Sequence, residues 1–212
     1  MINMNLLKII AEEYSNIFDI EHLKTLTSFN SKVKYCEQTL KRINSGSSRI
    51  VYLVDEKNVL KLAKNTKGVY QNKKEISFIN DQYINYMIAK ILDYSEDGMW
   101  TIMEKAEKLT VGDFKRIVGV EFKQFSKYID AFYQHRIKNG PDPNEGFSEE
   151  FIEYIWEEEF ISGILDLIGG YNAAGGDLSR MSSYGIVNRS DGDEVVLVDY
   201  GLDNDGYDSH YK

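Results

Sequence analysis

The sequence predicts an α+β fold in two lobes, a strand-rich first half and a helix-rich second half with a cleft between them. Three observations lead there. β-favouring residues cluster in Ile50–Val54 and Val59–Ala63, with polar turns on either side. Beyond Glu104 the apolar spacing becomes helical. Near the end, an apolar run, Val195–Val198, follows the turn signal Asp191-Gly192 and leads into Asp199-Tyr200-Gly201.

The elements follow in order. Leu6, Ile9, Ile10, Tyr14, Ile17 and Phe18 predict an amphipathic helix over Asn5–Phe18, and a short helix covers Ile20–Leu26. From Lys34 to Lys64 the chain reads as extended, with Ser45-Gly46-Ser47-Ser48 and Asp55–Asn58 as the turns of a three-stranded meander. A helix is expected over Val69–Tyr83 on the face of Val69, Ile76, Ile79 and Tyr83, with Glu75 beside it. Two further strands, Met87–Leu92 and Trp100–Met103, flank a turn at Glu96-Asp97-Gly98.

Thr110-Val111-Gly112-Asp113 resembles a helix capping box, and the stripe Phe114, Ile117, Val118, Phe125, Ile129, Phe132 and Tyr133 continues to the stop Asn139-Gly140-Pro141. Ser148 starts the next helix, with Phe151, Ile155, Phe160, Ile164 and Ile168 inward and Gly169-Gly170 at its end. The remainder, Ala173–Asp203, reads as loop, strand, turn and strand. The expected divisions are a helical extension over 1–33, a first lobe over 34–104 and a second over 105–212.

Composition narrows the class. Of the 212 residues, 42% are hydrophobic, with 15 Tyr and 10 Phe, enough for a packed core rather than a disordered chain. Cys36 is the single cysteine, which excludes an internal disulfide and a cysteine-built metal site and fits a reducing, cytoplasmic setting. Met1–Ile10 lacks a basic leader and does not read as a signal peptide, and no apolar run approaches the roughly 20 residues that span a bilayer. The net charge of −9 is unevenly spread, with 16 acidic residues against 3 basic ones over 144–212. Such a field repels phosphate backbones, so neither nucleic acid nor a membrane is an expected partner; it suits cations, or a cationic acceptor.

Several charged residues stand where an extended or helical neighbour would bring them together. Lys61 lies within the apolar strand Val59–Ala63, and Glu75 follows it by 14 positions on the next helix. Gly175-Gly176-Asp177-Leu178 precedes the last hairpin, and Asp199 ends it 22 residues after Asp177. Taken alone, Ser45–Ser48 reads as a plain hairpin turn, Lys61 as a lysine whose ammonium reaches solvent, and Glu75 as one charge of a solvated face with Lys73 and Lys74. Asp203, Asp205 and Asp208 alternate like part of a calcium loop but lack its other ligands and read as a solvated tail; Tyr207 and Tyr211 would pack that tail on the body. His22, His135 and His210 are too scattered for a metal cluster.

In this order the motifs resemble those of the protein-kinase-like superfamily, in the compact form of short kinase-like proteins of bacteria and their phages. The resemblance covers about residues 41–203 and implies an ATP- and Mg²⁺-dependent phosphotransferase acting on an unnamed small-molecule or protein hydroxyl. It implies that Gly46, Ser47 and Ser48 cover the phosphates, that Lys61 held by Glu75 neutralises them, and that Met103 and the backbone of Glu104–Ala106 receive the adenine. Asp177 would orient the acceptor hydroxyl and Asp199 would bind Mg²⁺. The Gly-Gly-Asp form is closer to that of small-molecule kinases such as the aminoglycoside phosphotransferases.

The chain departs from the pattern in three ways. It has one glycine in the phosphate loop, no His-Arg before Asp177, and Ser182 and Ser183 where the family has a metal-binding asparagine. Only 11 residues follow Gly201, so the peptide-binding platform of larger kinases is not expected. These departures admit a second reading, a pseudokinase acting as a nucleotide-binding or protein-interaction module.

Overall fold

The computed structural model describes residues 17–190, 192–201 and 203–211. The expected helix over Asn5–Phe18 falls outside them but for Ile17 and Phe18, as do the side chains of Tyr207, Asp208, His210 and Tyr211. The fold is α+β. Its first half is a five-stranded antiparallel sheet: β1 (Lys41–Ser45), β2 (Arg49–Leu53), β3 (Asn58–Ala63), β4 (Ile91–Tyr94) and β5 (Trp100–Glu104), in the order β1-β2-β3-β5-β4.

Side chains alternate across a strand, and β3 is buried on both faces for that reason. Leu60 and Leu62 join Tyr52 and Trp100 on one face, packed with Leu23 and Cys36 from two helices. These helices are α1 (Ile20–Thr25), capped by Asp19, and α2 (Phe29–Thr39), capped by a reciprocal pair of Ser28 and Ser31. Residues 34–39, expected to be extended, are the second half of α2. Its inward face includes Lys32, whose buried ammonium donates to the Leu23 carbonyl at 2.9 Å, so the helical apolar pattern is interrupted.

The opposite face of β3 carries Val59, Lys61 and Ala63 toward α3 (Thr66–Ser77) and the cleft. Asn65 caps α3 by accepting the Gly68 N–H at 3.1 Å. The helix stops at Phe78 rather than reaching Tyr83, and residues 79–86 form turns that bury Ile84. The strand expected from Met87 begins at Ile91. Met87–Ala89 instead bridges the second half: Ala89 N–H donates to Leu197 O at 2.9 Å, and Leu197 N–H donates to Met87 O at 2.8 Å.

The second half begins with β6 (Glu107–Lys108), which joins β7 (Tyr184–Arg189) and β8 (Gly192–Leu197) in a small antiparallel sheet. The two long helices expected between them are each broken. Gly119, at φ +83°, separates α4 (Val111–Val118) from α5 (Phe122–Lys138). Glu158 separates α6 (Glu149–Glu157) from α7 (Glu159–Tyr171) and caps the latter through the Ile161 N–H at 2.7 Å. Helix α7 runs through Gly169-Gly170 and ends at Asn172, whose φ of 57° stops it. Phe114, Phe125, Phe160 and Tyr184 form the aromatic centre of this half.

A one-turn helix, α8 (Gly175–Leu178), and the 3₁₀ turn Met181–Ser183 precede β7, and α9 (Asn204–Tyr211) closes the chain. Asp203, read as part of a solvated tail, is buried. It accepts from Tyr70 Oη at 2.6 Å and from the Gly206 N–H at 2.8 Å, and pairs with Lys74 at 3.0 Å. Among the described residues, no helix is long and apolar enough to cross a membrane.

Helix α3 enters so close to the β1–β2 turn that only hydrogen fits at Gly68. A Cβ there would lie 2.2 Å from the Ser48 carbonyl oxygen and 3.1 Å from the Ala63 Cα. Gly68→Ala should therefore lower stability by about 1–3 kcal/mol in urea unfolding, as overpacking does, despite alanine's better helix propensity.

Candidate active site

Four charged side chains meet where β2, β3, α3 and the end of β8 converge. Lys61, at the centre of β3 opposite Val51 and Thr101, reaches both carboxylate oxygens of Glu75 at 3.0 and 2.9 Å. Its ammonium also donates to the Val198 carbonyl at 2.5 Å. Arg49, the first residue of β2, donates to Glu75 Oε1 at 2.7 Å and Asn72 Oδ1 at 3.3 Å through Nη1, and to Asp199 Oδ1 through Nη2. Glu75 is fully buried and both cations nearly so, whereas the Asp199 side chain is 51% exposed.

Burial drives the Lys61 pKa down, with Arg49 adding to the effect and Glu75 resisting it. For Arg49 burial pulls the same way, but the charges of Glu75 and Asp199 outweigh it, so the guanidinium is held more firmly charged than usual.

A cleft of about 300 Å³ opens against this cluster. It is lined by Gly46 and Ser48 from the β1–β2 turn, by Arg49, Lys61 and Asp199, by Met103–Ala106 where the chain passes between the halves, and by Ser182. The expected nucleotide residues thus surround one space, apart from Ser47 and Glu75. Ser47 is exposed, with its hydroxyl 3.5 Å from Lys67 Nζ. Glu75 sits behind Lys61. Ser48 turns its hydroxyl away, to Gln71 Oε1 at 2.5 Å. The Glu104 carboxylate also faces elsewhere, to Arg189 at 2.8 Å. A larger and more open hollow, about 1100 Å³, lies beside Lys90, Glu158 and Arg189. Arg189 is occupied there by Glu104, Glu194 and two carbonyls, so the smaller cleft is the one with converging charges.

Asp177, in the single turn of α8, is partly buried and pairs with Arg180 at 3.2 Å. Burial pushes its carboxyl above the ordinary range, and the nearby Asp199 charge adds to this, against Arg180, Lys67 and Arg49. Asp177 does not line the cleft, and what joins it to the cluster is the charge of Asp199, Lys67 and Arg49 rather than a contact. Lys67 on α3, not singled out in the sequence, belongs to it as well: its pKa falls through burial, while Asp177 and Asp199 hold it up.

Two of the three residues expected to hold Mg²⁺, Asp199 and Ser183, have other engagements. Asp199 is ion-paired with Arg49, and the buried Ser183 hydroxyl donates to the Asp177 carbonyl at 2.7 Å. Ser182 is exposed at the cleft margin. Among the described residues, no group of three or more His, Cys, Asp or Glu side chains is placed to hold a metal ion. The one expected carboxylate thus shares its Oδ1 with a guanidinium, which makes it a poorer ligand for a divalent cation than a free carboxylate.

Two neighbours of Asp199 are constrained by packing. Tyr200 is buried, its ring 6.0 Å from that of Phe78, and its hydroxyl finds no hydrogen-bond partner among the described residues. Gly201 passes beneath α3, where a Cβ would lie 2.4 Å from the Gln71 carbonyl oxygen. Tyr200→Phe should raise stability by roughly 1 kcal/mol in urea unfolding, because it removes a buried unsatisfied hydroxyl. Glu75→Ala should cost about 3–5 kcal/mol in the same measurement, because it leaves two buried cations without their shared anion.

No protein-family model matches the chain, and no curated protein does. Among solved structures it is similar to the GDP complex of wild-type aminoglycoside 2′-phosphotransferase-IIIa, with 14% identity and a TM-score of 0.28 over 59% of this chain; it spans 39% of that chain's length. It is also similar to the streptomycin–ATP–APH(2″)-IIa ternary complex, with 16% identity and a TM-score of 0.34 over 84% of this chain and 72% of that one. At these values the likenesses are distant and carry no argument; the five-stranded antiparallel sheet, the helices that follow it and the buried Lys61–Glu75 pair are the chain's own features.

Proposed function

We propose that the cleft binds ATP and that the chain transfers its terminal phosphoryl group to a hydroxyl acceptor. The observation that carries this reading is Lys61, clamped by Glu75 and lining the same cleft as Asp199. A lysine buried in a strand and held by one carboxylate and one carbonyl is a fixed positive charge beside the space that phosphate oxygens would enter. The adenine would lie against Met103 and the backbone of Glu104–Ala106, with the turn at Gly46 over the phosphates.

Asp177 would accept the acceptor hydroxyl's proton as that oxygen bonds to the terminal phosphorus and the bond to the bridging oxygen breaks, releasing ADP. Its raised pKa makes it a better base than an ordinary aspartate. A cytoplasmic setting accompanies this reading, supported by a lone buried thiol, Cys36, whose pKa burial pushes up to about 12. A second reading, a pseudokinase that binds nucleotide without transferring phosphate, is favoured by the Arg49–Asp199 pair.

Thermal melts with and without ATP test the site, and turnover over a panel of hydroxyl acceptors, with the chain itself included, separates the readings. Binding with turnover is expected; binding without any turnover selects the pseudokinase. Lys61→Ala should weaken ATP binding at least tenfold, about 1.4 kcal/mol, and unchanged affinity would remove Lys61 from the site.

Asp177→Asn should abolish transfer and also change the pH dependence of stability. The folded-state pKa of Asp177 lies above its unfolded value of about 3.9, so the folded state holds the proton more tightly. That stabilisation is fully present below the unfolded value and is lost as the pH rises through the folded one. The variant, neutral throughout, should melt above the wild type at neutral pH, and the difference should vanish in acid.

A further inference from the structure

The cation beside Asp199 is already supplied by the chain. Arg49 is buried to 8% side-chain exposure and fixed on three sides, by Glu75 at 2.7 Å, Asn72 at 3.3 Å and Asp199. Asn72 is itself fully buried and held by the Gly98 carbonyl at 2.9 Å, so the guanidinium plane cannot turn without breaking a chain of contacts. Arg49 lines the cleft together with Lys61 and the turn at Gly46.

We propose that Arg49 stands in place of a divalent metal, so that the cleft takes the polyphosphate of a nucleoside triphosphate without Mg²⁺. The inference rests on the nucleotide reading given above. A guanidinium stays charged at every accessible pH and presents a planar fork that matches phosphate oxygens. With Lys61 beside it, two fixed cations face the space where the triphosphate would lie. A metal ion at Asp199 would have to share that carboxylate with the guanidinium, which already holds Oδ1, and of the two serines expected beside it the Ser183 hydroxyl is directed to the Asp177 carbonyl while Ser182 stands at the cleft margin. Magnesium at a nucleotide site is held by one or two carboxylates together with phosphates and waters, and here Asp199 already carries a buried guanidinium as its counter-ion.

The test is a fluorescence titration of the full chain with a ribose-labelled ATP analogue, in excess EDTA and in excess Mg²⁺. Equal affinity in the two conditions, within about threefold, is expected. Tightening by tenfold or more in Mg²⁺ would overturn the assignment of Arg49 while leaving the nucleotide site intact. Absence of binding in both conditions would overturn the nucleotide reading, and this inference with it.

Arg49→Gln releases Asp199 and should bind at least tenfold more weakly in EDTA, with recovery in Mg²⁺. An Arg49→Gln chain that binds as tightly as the wild type in EDTA would count against the proposal. If that variant does not fold, the wild-type comparison and a second variant decide. Arg49→Lys, which keeps a cation at the position, should then bind equally in EDTA and Mg²⁺, and a metal requirement in it would argue against the substitution of charge for metal.

Discussion

Glu75 has no exposed surface and lies between two cations, Arg49 and Lys61. Burying a carboxylate costs several kcal/mol unless its oxygens are satisfied, and each cation carries a similar cost. One anion cannot answer two cations. The remaining positive charge is met by Asp199 and by the Val198 carbonyl, both at the end of the last hairpin. The charge balance therefore joins β2, β3, α3 and the segment after β8 into a single arrangement, in which Glu75 is the member both buried cations share.

The rest of the first half serves this placement. Because alternate residues of β3 face opposite ways, packing Leu60 and Leu62 against α1 and α2 turns Lys61 toward α3. Covering one face of the sheet with these helices lets its central strand β3 be buried on both sides. The Ser48–Gln71 and Asn72–Gly98 hydrogen bonds then fix the turn and the helix around the charges. On the other side, the exchange of backbone hydrogen bonds between Met87–Ala89 and Leu197 ties the last hairpin to the first half, so Asp199 arrives beside Arg49 rather than somewhere along a mobile end.

Much of this arrangement was legible in the chain. Strand patterning located β2, β3 and β5, and the order of Lys61, Glu75 and Asp199 anticipated their meeting. Other features were hidden for physical reasons. Arg49 follows a serine-rich turn, where an arginine reads as surface; its burial follows from partners 26 and 150 positions away. Lys67 follows a helix cap and reads as solvated for the same reason. Helix α2 buries a lysine, which breaks the apolar stripe that would have announced it. The breaks at Gly119 and Glu158 fall inside continuous apolar spacing, and a cap formed by a glutamate gives little sign of itself beside two more glutamates. Asp203 resembled a tail residue because Tyr70 and Lys74, which bury it, lie far earlier in the sequence.

Helix α3 is fastened at three heights. Gly68 sits against the Ser48 carbonyl, Gly201 passes beneath the Gln71 carbonyl, and Glu75 holds two cations from neighbouring strands. Displacing such a helix outward means prising apart backbone contacts that leave no room for a methyl group, together with a buried ionic knot. The helix, the turn at Ser48 and the aspartate of the last hairpin consequently travel as one rigid block.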